Sequence, residues 1–161
     1  MGTQERHIKS LDQEIISQGA ILTKDQQMGM CKDFSDKEIK DITFSIPNTK
    51  SPGPNGFSSG FFKTTWTTTG PIVWSTIRRF FQTGQLPGSI SATRFVILPK
   101  VTHPKHASDF RPISCYNVLY KCISKLLGQR IKEILPHIIS QSQGAFIQGR
   151  EILYNMLTCQ D

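Results

Sequence analysis

The 161-residue chain is poor in cysteine, in acidic residues and in long apolar runs, and each shortage excludes something. Its four cysteines, at positions 31, 115, 122 and 159, include no C-x-x-C pair. Structural zinc needs closely spaced soft ligands and a disulfide scaffold needs denser cysteine, so reduced thiols acting as small hydrophobes are expected instead. No apolar run approaches the roughly 18 residues of a membrane span. No charged-then-apolar leader precedes a cleavage site. The expectation is an intracellular protein, nuclear or cytoplasmic, neither secreted nor membrane-bound. There is no G-x-S-x-G elbow and no G-x-x-x-x-G-K-[ST] loop, which removes two common signatures of acyl and phosphoryl chemistry. His103 and His106 share a loop without a third ligand at metal-binding spacing.

Acid is short in one place only. Nine basic residues (Arg94, Lys100, Lys105, Arg111, Lys121, Lys125, Arg130, Lys132 and Arg150) face two acidic ones, Asp109 and Glu133. The rest of the chain is balanced, so the whole formal charge of +7 belongs to this stretch. Clustering of this kind fits a phosphate-binding face, or equally the solvated face of a helix.

The periodicity predicts an α+β chain, mostly helical with a small antiparallel hairpin. Ile8, Leu11, Ile15 and Ile16 recur at helix spacing. Thr23 with Gln26 and Ser35 with Glu38 read as capping boxes, the second with Phe34 and Ile39 as its hydrophobic staple. That helix should end before Pro47. Two prolines and two glycines between Lys50 and Gly56 demand a tight loop. The Thr64–Thr69 run looks marginal as helix, and a firmer helix is expected from Pro71, in its first turn, to Gly84. Arg94–Leu98 reads as a buried strand, and Asp109–Ser114 as its hairpin partner. A long amphipathic helix from Val118 should stop at Pro136, and another should start near Glu151.

The carboxylates Asp36, Glu38 and Asp41 decorate a helix start and do not converge with the basic stretch. No assembled active site is visible. Lys100 and Arg111 differ from the other cations because the hairpin would bring them together, at its open end or along one face. A guanidinium fork and a compact ammonium together suit a triphosphate. Two surface cations beside a turn is the plainer reading of the same pattern.

Several blocks resemble a known family. Lys50-Ser51-Pro52-Gly53-Pro54-Asn55-Gly56-Phe57 resembles the K-A-P-G-P-D-G-F loop that opens the reverse transcriptase domain of LINE-type (non-LTR) retrotransposons, plant ones in particular. Ile97-Leu98-Pro99-Lys100 is similar to the family's L-I-P-K strand end, and Asp109-Phe110-Arg111-Pro112-Ile113-Ser114 to its D-Y-R-P-I-S segment. Asn117-Val118-Leu119-Tyr120-Lys121 with Lys125, Leu126, Leu127 and Arg130 resembles N-x-x-Y-K-x-x-x-K-x-L-A-x-R. Gln143-Gly144-Ala145-Phe146 with Gly149-Arg150 resembles Q-x-A-F-x-x-G-R. The blocks keep the family's order from about Phe34 onward.

The resemblance implies a right-hand polymerase cut short. Residues 1–33 would be linker helices, and 34–161 the fingers and the start of the palm, an incomplete domain. Lys100 and Arg111 would contact the phosphates of an incoming dNTP. Lys50, Gly53, Asn55 and Gly56, with Gln143, Gly149 and Arg150, would lie near RNA template or DNA primer backbone. The family's Mg2+-binding carboxylates are expected beyond Asp161, so this chain would hold no metal ligand or catalytic residue and would be inactive without the rest of palm and thumb. The alternatives are a non-catalytic nucleic-acid-binding module and an inert retrotransposon remnant. Two departures from the family pattern, Asn55 for an Asp and Tyr154 where an Asp commonly precedes Asn155, suggest sequence drift.

Overall fold

The computed structural model describes residues 19–140. The expected helices at Ile8–Ile16 and near Glu151 lie outside the described residues. The chain divides into two compact units, Cys31–Arg130 and a second made of the residues before and after it. The described elements are six α-helices and two strands: α1 Lys24–Cys31, α2 Asp36–Ser45, α3 Ser59–Thr64, α4 Trp66–Thr83, α5 Gly88–Ser91, β1 Thr93–Pro99, β2 Phe110–Tyr116 and α6 Val118–Ile138. This is the expected α+β class, mostly helical with one two-stranded antiparallel sheet.

Local chemistry explains most boundaries. Thr23 and Gln26 cap α1 reciprocally: each backbone N–H donates to the other's side chain, at 2.9 and 3.3 Å. Ser35 and Glu38 form the second capping box, and the staple residues Phe34 and Ile39 are both buried in one core. α2 ends at Ser45, ahead of Pro47. Gly84 closes α4 in the left-handed region, at φ 69°, where a side chain would be strained.

Three expectations are corrected. First, α4 begins at Trp66, and Pro71 lies inside it. The threonine run is helical all the same, its hydroxyls bonding back to carbonyls of the preceding turn, Thr65 to Phe61 at 2.7 Å and Thr69 to Thr65 at 3.1 Å. Second, α6 continues past Pro136 to Ile138; a proline this near the end removes one backbone bond without ending the helix. Third, the apolar strand is not buried. Phe95 and Ile97 on one face are 71% and 65% exposed, and Val96 and Leu98 on the other are exposed as well. Among the described residues no further strand joins the ribbon, and these four side chains stay exposed, so the apolar run alone does not secure burial.

The core of the Cys31–Arg130 unit is helical. Ile39, Ile42 and Ile46 from α2 and its cap meet Phe62 of α3, Val73 and Ile77 of α4, and Val118, Cys122, Ile123 and Leu126 of α6. Each buried Ile or Leu stabilises by roughly 1.5–3 kcal/mol. Cys122 is a free thiol in this core, 3.5 Å from the Thr43 hydroxyl, and burial pushes its pKa up to about 11. It behaves as an inert hydrophobe.

Candidate nucleotide and nucleic-acid interface

The β1–β2 ribbon pairs Thr93 with Tyr116 at its base and Pro99 with Phe110 near its tip. Leu98 stands opposite Arg111. The ladder runs one step further, since the Lys100 N–H donates to the Asp109 carbonyl at 2.7 Å. Paired residues share a face and alternate residues return to it. Lys100 and Arg111 therefore project from the same face of the ribbon, beside the connecting loop. They stand at its closed end rather than its open end.

The loop between them is held by its own backbone. The Asp109 carboxylate accepts the N–H groups of Lys105 and His106, both at 2.9 Å, and these bonds hold its pKa below the usual aspartate value. Lys100 Nζ donates to the Ser108 carbonyl at 2.8 Å, which fixes the ammonium at the tip and leaves it two further donors. The Arg111 side chain is exposed and makes no hydrogen bond or ion pair among the described residues. Such a pair offers fixed and unshared positive charge to an anion with several oxygens.

The Lys50–Gly56 loop lies at the other end of the ribbon. Its organiser is Asn117, a buried residue one step past β2. Asn117 Oδ1 accepts the Asn55 N–H at 3.2 Å, and Nδ2 donates to the carbonyls of Ser89 at 2.9 Å and Ile90 at 3.1 Å. Gly53 sits flush on the same residue: a Cβ there would come 2.6 Å from Asn117 Cα and closer to its N and Oδ1. The Gly56 N–H closes a turn onto the Gly53 carbonyl at 3.0 Å, and Gly56 takes φ 78°. Asn55 Oδ1 accepts the Phe57 N–H at 3.2 Å, the turn role an aspartate would also fill. Lys121 Nζ braces the loop from α6 through the Ser51 carbonyl at 2.6 Å. The exposed Lys50 side chain stands at the loop's start.

The site residues named from sequence thus fall into two groups. Lys100 and Arg111 share the tip, while Lys50, Gly53, Asn55 and Gly56 lie past the Thr93–Tyr116 pair at the base, five strand positions or roughly 17 Å from Arg111 and seven or roughly 23 Å from Lys100. Gln143, Gly149 and Arg150 lie outside the described residues. Asn117 carries no charge and no local motif chemistry, and sequence reasoning did not single it out; its place inside the N-x-x-Y-K block was the available signal.

A metal centre does not fit the described residues. Among them, no three His, Cys, Asp or Glu side chains come together, and the Asp109 carboxylate on the cationic face is already engaged by the loop backbone.

No family model matches the chain. A stretch of 124 residues, 77% of the chain, is 31% identical to part of the transposon TX1 uncharacterized 149 kDa protein of Xenopus laevis. A stretch of 81 residues, 50% of the chain, is 33% identical to part of the retrovirus-related Pol polyprotein from the type-2 retrotransposable element R2DM of Drosophila melanogaster. These matches span 10% and 7% of the two proteins' lengths. Among the described residues no helix is long and apolar enough to cross a membrane. The chain is a retrotransposon-related protein.

Proposed function

We propose that this chain is the fingers and the start of the palm of an RNA-directed DNA polymerase of a LINE-type retroelement, preceded by a linker in residues 1–33. The observation that carries this reading is the exposed pair Lys100 and Arg111 on one face at the tip of the ribbon. In template-directed synthesis a primer hydroxyl attacks the α-phosphorus of a dNTP and pyrophosphate leaves. Lys100 and Arg111 hold the phosphates of that dNTP: the guanidinium grips two oxygens as a fork and the ammonium neutralises a third. The Lys50–Gly56 loop, set by Asn117, lies along template or primer backbone, and Gln143, Gly149 and Arg150 are assigned to the same strand. The carboxylates that bind Mg2+ come from elsewhere in the polymerase, and this chain alone polymerises nothing.

Support comes from the matching blocks, from the transposon-encoded relatives, and from the exposure of both cations. A second reading draws on the same exposure together with the lack of a carboxylate cluster among the described residues. In it the chain binds nucleic acid and catalyses nothing in any context. A primer-extension assay with the remaining palm and thumb supplied separates the two.

The direct test is displacement of a fluorescent dNTP from the chain. K100Q and R111Q should each weaken binding by about 10-fold or more, the worth of a charge-assisted hydrogen bond. Melting temperatures should be unchanged. Affinity unaltered in both variants contradicts the reading.

A further inference from the structure

Ser51 brings a hydroxyl to the Lys50–Gly56 loop that the fold does not use. Its Oγ makes no hydrogen bond among the described residues, whereas hydroxyls on either side are engaged. Ser45 donates to the Ile42 carbonyl at 2.6 Å and Ser59 to the Pro47 carbonyl at 3.0 Å. Residues 47–52 are all exposed and belong to no helix or strand. Ser51 is also the one serine or threonine of the chain that stands directly before a proline. The family block that this loop resembles has Ala at the same place, so the turn does not need the hydroxyl in order to form.

We propose that Ser51 is a phosphorylation site for a proline-directed protein kinase, with Lys121 as the residue that holds the phosphate. Pro52 biases Ser51 towards extended backbone, the form in which an acceptor segment lies along a kinase's groove. Pro52 also lacks an N–H, so the segment suits kinases that take proline directly after the acceptor. In the transfer the Ser51 oxygen attacks the γ-phosphorus of ATP. The Oγ–P bond forms, the bond from that phosphorus to the β,γ-bridging oxygen breaks, ADP leaves, and the hydroxyl proton passes to the kinase's base.

The surroundings of Ser51 suit the product as well as the acceptor. Lys121 Nζ donates to the Ser51 carbonyl at 2.6 Å, and an ammonium has two further donors. A phosphate on the Oγ of the same residue lies within their reach. The exposed Lys50 side chain is its neighbour in sequence. Phosphoserine carries about −1.5 to −2 charge at neutral pH, enough to offset both ammonium groups. The contact from Lys121, now to a neutral carbonyl, becomes an ion pair as well, and the loop is held more firmly to α6. The consequence for binding rests on the reading of this loop as a contact with template or primer backbone. A loop stripped of its positive charge attracts a polyanion less, so the modification weakens that contact.

The test treats the full chain with ATP and a proline-directed kinase and locates the phosphate by mass spectrometry. Ser51 should carry it, and S51A should lose that phosphate. The phosphorylated chain should melt about 2–4 °C above the untreated one. K121Q should accept the phosphate without that gain. No phosphate at Ser51, or an equal gain in K121Q, overturns the proposal. A short unpaired oligouridylate should bind the phosphorylated chain about five-fold more weakly near 0.1 M salt, the weight of one single-strand phosphate contact. A phosphate at Ser51 with the melting gain but unaltered oligouridylate affinity keeps the modification site and removes the loop from the strand's path.

Discussion

The basic stretch divides into two populations that do opposite work. On α6, Lys121 donates to the Ser51 carbonyl, Lys125 to the Ser45 hydroxyl at 2.8 Å, and Arg130 to the Lys32 and Asp33 carbonyls while stacking 3.8 Å over the Phe34 ring. These cations tie α6 to the loop and to both ends of α2. On the ribbon, Arg94 and Arg111 meet solvent and Lys100 gives up one donor. Equal charges along a sequence are therefore not equally available to a ligand. A cation whose donors are met by carbonyls inside the fold contributes stability, and one on an isolated ribbon contributes potential.

This contrast can be broken in order of expected size. The largest effect belongs to Asn117, which joins the Lys50–Gly56 loop to α5 at the base of the ribbon. N117A leaves the Ser89 and Ile90 carbonyls and the Asn55 N–H without a partner and should cost about 2–4 kcal/mol in chemical denaturation. Limited proteolysis should then cut within residues 50–57. Resistance equal to the parent chain would remove Asn117 as the loop's anchor. Next come the α6 cations: K121Q and R130Q should each lose about 0.5–1.5 kcal/mol. R94Q and R111Q should stay within about 0.5 kcal/mol of the parent. A reversal of that order would dissolve the division.

S35A should cost about 1 kcal/mol through loss of the α2 cap. The smallest effect is a pH dependence. Hydrogen bonds from the Ser35 hydroxyl and N–H, at 2.6 and 2.8 Å, hold the Glu38 carboxyl below its ordinary value. A lowered folded-state value means that its contribution is complete above the unfolded glutamate value of about 4.3 and is lost as pH falls through the folded one. The melting difference between the parent and E38Q should therefore shrink below about pH 4.

How much was legible follows from where each signal resides. Capping boxes, the stop before Pro47 and the Gly84 terminus are decided by residues within one turn, and they read correctly. The Arg94–Leu98 strand lies in the ribbon that its pattern predicts, yet it is exposed rather than buried, because burial depends on what lies across the faces. α4 starts ahead of Pro71 with Trp66 packed against the core, a tertiary contact that local helical preference does not register. Asn117 escaped notice since a neutral amide declares its partners, residues 28 and 62 positions away, only after folding. Local chemistry is written locally; long-range hydrogen bonds are not.

The central claim concerns the tip of the ribbon, and backbone and side-chain NMR of the labelled chain during titration with a deoxynucleoside triphosphate tests it most directly. The account predicts shifts concentrated at Lys100 and Arg111, weaker with the monophosphate, and quiet signals at Lys121, Lys125 and Arg130. Shifts centred on α6, or none at the tip at saturating nucleotide, would contradict it.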